Sequence, residues 1–551
     1  MRRLFVIAVF LTLLFAVSVC EVALGGSRID SFVQRMHDIR MRVSSSMKSA
    51  CKDLVNPREC IKLREKVIIN NPYKNSIASV RFGNVLCDEE QQYRIKRKEK
   101  VQKALECCLG RTLHNTYVPT ISVVCSGGGY RAMFGTLGCF SGMERIGIFD
   151  ATTYISTLSG STWALGILMA TGMSLSECKR YIAKNSIMDI KELASGDAQL
   201  MAHAFAVKFA FKQPCTLVDL FGGLLANRLL SYYGDERHMI HLSDQVERVK
   251  NGEYPYPIYT AIDGRRSVIG DAPWYEFTPY EIGAADFAAY VPSWAYGRYF
   301  WNGKSIDDAP EQSLGFYFGV FGSAFGAHVG LMWERLIWQL PPSFVRSAIE
   351  KIVINPLNER RFFWASIPNY LHGVQGHVLR DKKMLKVLDA GIESNLPYPP
   401  VSGQRQERKP DILLFFDFFE TGWENALSKC ERYAHKHSLK FPKVNYDGIR
   451  DRMISIFKDE SDPSVPVVIY MPRLSDKNVW QEKRKNSEFT RYYRISGFDI
   501  DQCTREGFCH TLNFEYNMHQ SYQLMDQMEF NVVVNKDKIL DEIRWVIDKK
   551  S

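Results

Sequence analysis

Short apolar runs, bounded by glycine or proline and almost without polar interruption, recur through the middle of the chain. Ile121-Ser122-Val123-Val124-Cys125 is one, and Pro257 to Ile262, Ile412 to Phe416 and Val465 to Met471 are others. A strand solvated on one face alternates polar and apolar residues; a strand covered on both faces does not. Helical spacing follows in 131–146 and 160–170. The pattern predicts an α/β fold, a three-layer α/β/α arrangement with a largely parallel central sheet. Residues 88–109 predict a charged amphipathic helix, whose Arg94, Lys96, Arg97, Lys98, Lys100 and Lys103 read first as a solvated face and second as a membrane-binding patch. Residues 21–87, polar and broken by Pro57 and Pro72, read as an N-terminal extension. Aromatic residues crowd 273–330. Most belong in a core, whereas 294–301 suits a core and a membrane interface equally.

Arg2 and Arg3 precede an uncharged apolar stretch from Leu4 to Val19. That is shorter than the ~20 residues that span a bilayer. It predicts a signal peptide over 1–20, cleaved after Cys20 or Gly25, and hence a secreted or periplasmic protein; a retained anchor is the alternative. Secretion would permit disulfides, and Cys51/Cys60 and Cys503/Cys509 are close pairs among the 13 cysteines. Adjacent Cys107 and Cys108 are poorly placed to bridge each other. The chain contains no Cys-x-x-Cys, so no structural metal is expected. Over 551 residues a net charge of +9 is a mild excess, read as a solubility feature with no nucleic-acid partner.

Two segments carry chemistry. Thr157-Leu158-Ser159-Gly160-Ser161 lies between a strand pattern and a helix pattern, where a sharp turn can expose a nucleophilic serine. It matches Gly-x-Ser-x-Gly poorly, with Thr157 and Ser161 where glycines belong. Taken alone, Ser159 reads better as a helix N-cap. The second segment is Ser126-Gly127-Gly128-Gly129-Tyr130-Arg131. Successive glycines before a helix can aim adjacent N–H groups at an oxyanion. A phosphate-binding turn competes with that reading, but the spacing of neither glycine-rich phosphate motif is present.

These two segments resemble the catalytic domain of the cytosolic-type (group IV) phospholipase A2 and lysophospholipase (phospholipase B) family, a relative of patatin. Trp274 to Gly283, Gly319 to Phe325, Asp389-Ala390-Gly391 with Asn395 to Pro399, and Leu512 to Tyr516 extend the resemblance over about residues 88–545. It implies a patatin-like fold with an inserted lid or cap at roughly 175–330, and a catalytic domain over 88–551. It also implies a Ser–Asp dyad of Ser159 and Asp389, an oxyanion hole at Gly128 and Gly129, and a lipid phosphate on Arg131. The family's second phosphate-side arginine has no clear counterpart; Arg405 is nearest, shifted by one position. The expected activity is release of fatty acid from phospholipid or lysophospholipid at a peripheral membrane surface, without metal or cofactor. A Ser–His–Asp arrangement using His510 or His519 is the alternative mechanism. Acyl transfer and non-catalytic lipid binding are the alternative functions.

Overall fold

The computed structural model describes residues 57–113, 116–186, 197–264, 272–324, 364–418, 425–483, 485, 502–511, 513 and 515–551. The expected signal segment and Cys51 lie outside them. Two compact units form, one from Met1–Ala78, Met188–Ile240 and Gly297–Leu388, the other from Ser79–Ile187, His241–Tyr296 and Asp389–Ser551.

The second unit contains the sheet. Its strands are β1 (Arg81–Phe82), β2 (Ile121–Cys125), β3 (Tyr154–Thr157), β4 (Tyr256–Asp263), β5 (Trp274–Phe277), β6 (Glu281–Ala284), β7 (Ala289–Pro292), β8 (Ile412–Asp417), β9 (Ser455–Phe457) and β10 (Val467–Pro472). They lie in the order β1-β7-β6-β5-β4-β3-β2-β8-β10-β9. The pairs from β4 through β3, β2 and β8 to β10 are all parallel. The flanks are antiparallel, a β4–β7 meander extended by β1 on one side and β9 on the other. Every residue of β2, β3, β4, β8 and β10 is buried, which is why all of these strands but β3, with its Ser156 and Thr157, stand out as apolar runs. The helices that matter most here are α1 (Asp88–Leu109), α2 (Gly129–Arg145), α3 (Gly160–Thr171) and α4 (Met518–Val534).

Helix α1 departs from a simple solvated face. Arg97 is fully buried, and its guanidinium donates to the carbonyls of Thr152, Asp150, Gly252 and Glu253 at 2.8–3.0 Å. A buried charge is tolerable only when its donors are used in this way. Glu90, on the same helix, is also buried and receives two bonds from Arg408, at 2.6 and 2.7 Å. Arg408 in turn pairs with Glu276 of β5, which also pairs with Arg405. Arg405 reaches Glu281 of β6 at 2.8 Å, and Arg81 of β1 reaches the same carboxylate at 2.8 Å. Three arginines therefore match three glutamates, and together they fasten α1 to the antiparallel flank.

The first unit is mainly helical. The helix Leu217–Leu229 crosses Leu314–Phe321 at very short range: a Cβ on Gly222 would stand 2.4 Å from the Gly315 carbonyl oxygen, and one on Gly319 2.4 Å from that of Val218. Gly319 of the Gly319-to-Phe325 segment thus serves close helix packing. The N-terminal helix Pro57–Asn70 belongs to this unit, and Arg64 on it pairs with Asp308 at 2.9 Å.

Burial by itself drives the Glu90 carboxyl up, but the charge and hydrogen bonds of Arg408, with Arg405 beyond, overcome it and hold the group below its ordinary 4.5. Replacing Arg408 by Met leaves the buried Glu90 without its ion-pair partner and Glu276 with Arg405 alone, and is expected to cost about 3–5 kcal/mol in urea unfolding. A lowered carboxylate contributes stability that is complete above the unfolded value and is lost as pH falls through the folded one. The stability gap between wild type and Glu90→Gln should therefore shrink below pH 4.5; a gap that widens in acid contradicts the ion-pair account.

Candidate active site

Ser159 stands between the end of β3 and the start of α3, with φ 51° and ψ −128°. This is a left-handed backbone for a residue with a side chain. Such a conformation costs on the order of 1–3 kcal/mol and persists only where its surroundings enforce it. The hydroxyl does not cap the helix, although Ser159 occupies the N-cap position. Ser161 serves the turn instead: its Oγ accepts from Leu158 N at 3.0 Å and lies 2.7 Å from Leu158 O. The Ser159 side chain is thereby left for chemistry. Thr157 fits without difficulty, because it is the last residue of β3 and the turn begins after it.

The glycine turn follows β2, the parallel neighbour of β3. Gly128 has φ 138° and Gly129 φ 60°, and α2 begins at Gly129. Their N–H groups are among those that a helix start cannot satisfy within itself. The two turns touch backbone to backbone. A Cβ on Gly160 would lie 1.9 Å from the Gly129 carbonyl oxygen, and one on Gly127 would lie 2.9 Å from Ser159 Cβ. Only glycine permits either approach.

Asp389 ends the strand Met384–Asp389 and is 1% exposed, beside 3% for Ser159. Its Oδ1 accepts from Gly391 N at 2.8 Å. Leu158 and Asn395 both stand against the place where a Cβ on Gly127 or on Gly391 would lie, so the glycine turn and the aspartate turn pack about the same two side chains, one of them supplied by the serine turn. Asn395 joins them directly. Its Oδ1 accepts from Gly127 N at 3.2 Å, and its carbonyl lies 3.3 Å from the same N–H. Ser156 of β3 donates to Pro397 O at 2.7 Å. Asn395 had no assigned role in the sequence; its place three residues after the aspartate turn in a matched segment was the available signal.

Arg131 is 2% exposed. Its Nε donates to Phe418 O at 2.8 Å and its Nη1 to Cys509 O, while Nη2 lies against Gly128. Cys509 is disulfide-bonded to Cys503, with 5.5 Å between α-carbons, whereas Cys107 and Cys108 are free thiols. Arg405 is committed to Glu276 and Glu281. His510 and His519, the alternative bases, are both exposed. Among the described residues Cys87, Glu90 and Glu281 come together in metal-like proximity. Both carboxylates there are paired with arginine, and burial pushes the thiol up, further from the thiolate that a metal would need.

Residues 121–445 match the model of the lysophospholipase catalytic domain. The chain is 26% identical to the mouse cytosolic phospholipase A2 zeta over 86% of its own length and 63% of that protein's. It is 25% identical to mouse cytosolic phospholipase A2 epsilon, over 86% and 60%. It thus spans under two thirds of the length of these relatives. The solved structure of human GIVD cytosolic phospholipase A2 superimposes with a TM-score of 0.70 at 23% identity, covering 86% of this chain and 66% of that one. This establishes the patatin-type α/β fold. The secreted or periplasmic destination expected from Leu4–Val19 is overturned by the same comparison, since the relatives matched along most of the chain are cytosolic phospholipases A2. A short apolar run behind two arginines has the hydropathy of a signal core, but hydropathy alone does not set a destination. Among the described residues, no helix is long and apolar enough to cross a membrane.

Gly160→Ala is expected to destabilise the protein by at least about 1–3 kcal/mol, because the clash is with a backbone oxygen that cannot rotate away. Thermal unfolding checks this against Gly83→Ala. Gly83 has open space around it although its φ is positive, so the comparison separates crowding from backbone strain.

Proposed function

Because the chain belongs to the lysophospholipase catalytic domain family, we propose that it is a serine-dependent lipid acyl hydrolase, acting on phospholipid or lysophospholipid through a Ser159–Asp389 dyad. The observation that carries this reading is the Ser159 elbow, a strained and uncapped serine held against a glycine turn. A solved relative in complex with methyl gamma-linolenyl fluorophosphonate, a phosphorus electrophile on a fatty chain, supports the substrate class.

In this mechanism Asp389 takes the Ser159 proton as Oγ attacks the ester carbonyl. A carboxylate is a weak base, with an ordinary pKa near ~3.9. It is effective only when dry and in direct hydrogen-bond reach, and burial of both residues favours that. The oxyanion of the tetrahedral intermediate rests on the N–H groups of Gly128 and Gly129, where the start of α2 adds positive potential. Collapse expels the alcohol, which receives the proton from Asp389, and leaves the acyl group on Ser159. Water then attacks the acyl-enzyme, Asp389 removes its proton, and Ser159 departs with that proton as fatty acid is released. Arg131 holds the turn through Nε and Nη1; its role toward the lipid phosphate rests on Nη2, beside Gly128.

Ser159→Ala and Asp389→Asn should each lower fatty-acid release from radiolabelled phosphatidylcholine and lysophosphatidylcholine by at least about 10³-fold. A fluorophosphonate should label Ser159 in wild type. His510→Ala and His519→Ala should retain activity. Loss in either histidine variant with activity kept in Asp389→Asn would replace the dyad by a triad, and absence of any released fatty acid in wild type would remove the hydrolase reading.

A further inference from the structure

The first unit carries an exposed ribbon that the catalytic machinery does not explain. Phe300–Trp301 pairs antiparallel with Lys304–Ser305 through a two-residue turn. Asn302 and Gly303 take φ 48° and 81°, the left-handed pair that such a turn requires and that Asn-Gly supplies readily. Strand alternation then sorts the side chains. Phe300, Gly303 and Ser305 are buried, whereas Trp301, Lys304 and Ile306 are exposed.

Two further segments are tied to this ribbon. Ala78 N donates to Ser305 Oγ at 2.9 Å, and Ser305 N donates to Ala78 O at 2.9 Å. Ile77, one residue before buried Ala78, therefore falls on the exposed side. Asn302 N donates to His372 O at 2.9 Å, and Gly373 N closes a loop by donating to Arg380 O at 2.9 Å. The result gathers large apolar groups in water: Ile77 is 72% exposed, Trp301 57%, Ile306 66% and Val378 80%. Trp301 is held rather than loose. Its ring stands edge-on to His372 with 5.0 Å between centroids and lies on Gly373.

The exposed charge around these groups is predominantly positive. Lys74, Lys304, Arg380, Lys382 and Lys383 are exposed in the same segments. The nearby acids are mostly engaged: Asp308 with Arg64, Asp307 with the Tyr299 and Ala309 N–H groups, and Asp381 with Arg380 at 3.7 Å. Indole at headgroup depth, aliphatic side chains below it and lysines at the phosphates are what an anionic bilayer surface rewards.

We propose that Ile77, Trp301, Lys304, Ile306 and Val378 form the surface through which this protein rests on anionic lipid bilayers. The inference deepens the lipid-hydrolase reading by naming the face that meets the lipid, yet it is tested without turnover. Full-length Ser159→Ala protein is sedimented with vesicles of phosphatidylcholine alone and with 30% phosphatidylserine, as about a third of the lipid gives a strong surface potential. Adding Trp301→Ala with Ile306→Ala should weaken binding to the mixed vesicles by about tenfold or more. Lys304→Glu should weaken it on phosphatidylserine vesicles only and flatten its salt dependence. Brominated lipid should quench tryptophan fluorescence less in Trp301→Phe than in its parent.

Far-UV circular dichroism and turnover of p-nitrophenyl butyrate by the same variants with Ser159 restored should match wild type. Vesicle binding unchanged by Trp301→Ala with Ile306→Ala overturns the proposal, as does a lipid-free dimer in sedimentation velocity that the same substitutions abolish. If vesicles bind as stated and no ester is cleaved, the hydrolase reading fails while the surface stands.

Discussion

The contact between Gly160 and the Gly129 carbonyl is the constraint on which the site depends. Strands β2 and β3 are parallel neighbours, so the turns that leave their carboxyl ends emerge side by side. The proposed oxyanion site and nucleophile can be neighbours only if those turns approach at backbone distance, and any side chain at Gly160 would separate them. The left-handed φ of Ser159 follows from the same geometry. A chain leaving β3 and entering α3 within two residues must reverse sharply, and the reversal is absorbed at the one residue whose side chain has to project. Strain, close packing and the projection of the side chain from the turn have a single cause.

Asn395 extends that constraint to the third turn. It binds Gly127 through side chain and main chain, while Ser156 binds the Pro397 carbonyl. The positions of Asp389 and Ser159 therefore depend on more than their own two turns. Both belong to a set of turns laced together behind them, where small displacements would be resisted from several directions. Positioning of this kind suits a base as weak as a carboxylate, which gains nothing from proximity unless the geometry is kept.

The ion-pair network holds the antiparallel flank in a different way. Glu90, Glu276, Glu281, Arg81, Arg405 and Arg408 come from four elements and one loop, and most have little or no access to water. Such a cluster contributes little net stability compared with an apolar core, but it strongly penalises the loss of any member. It fixes which helix lies against which strands. It also explains why Arg405, the nearest candidate for a second phosphate arginine, is committed elsewhere.

By itself the sequence determined the parallel strands β2, β4, β8 and β10, because strands covered on both faces have no polar alternation to confuse. It also located the two glycine-and-serine turns, whose residue types follow from local backbone needs. The antiparallel flank was legible only as aromatic density: Tyr275, Phe277 and Tyr290 are buried there, and Trp301, close by in sequence, is not. Alternation could have separated them, and Asn302-Gly303 was an available turn signal. Arg97 was read first as part of a solvated face, because burial of a charge depends on partners far away in sequence, here the carbonyls of Asp150, Thr152, Gly252 and Glu253. Whether Asp389 and Ser159 come near each other was likewise a matter of tertiary structure, since the two lie on separate turns far apart in sequence, packed with the glycine turn about Leu158 and Asn395. Residue chemistry sets what each turn can do; only the packing of the turns decides that they do it together.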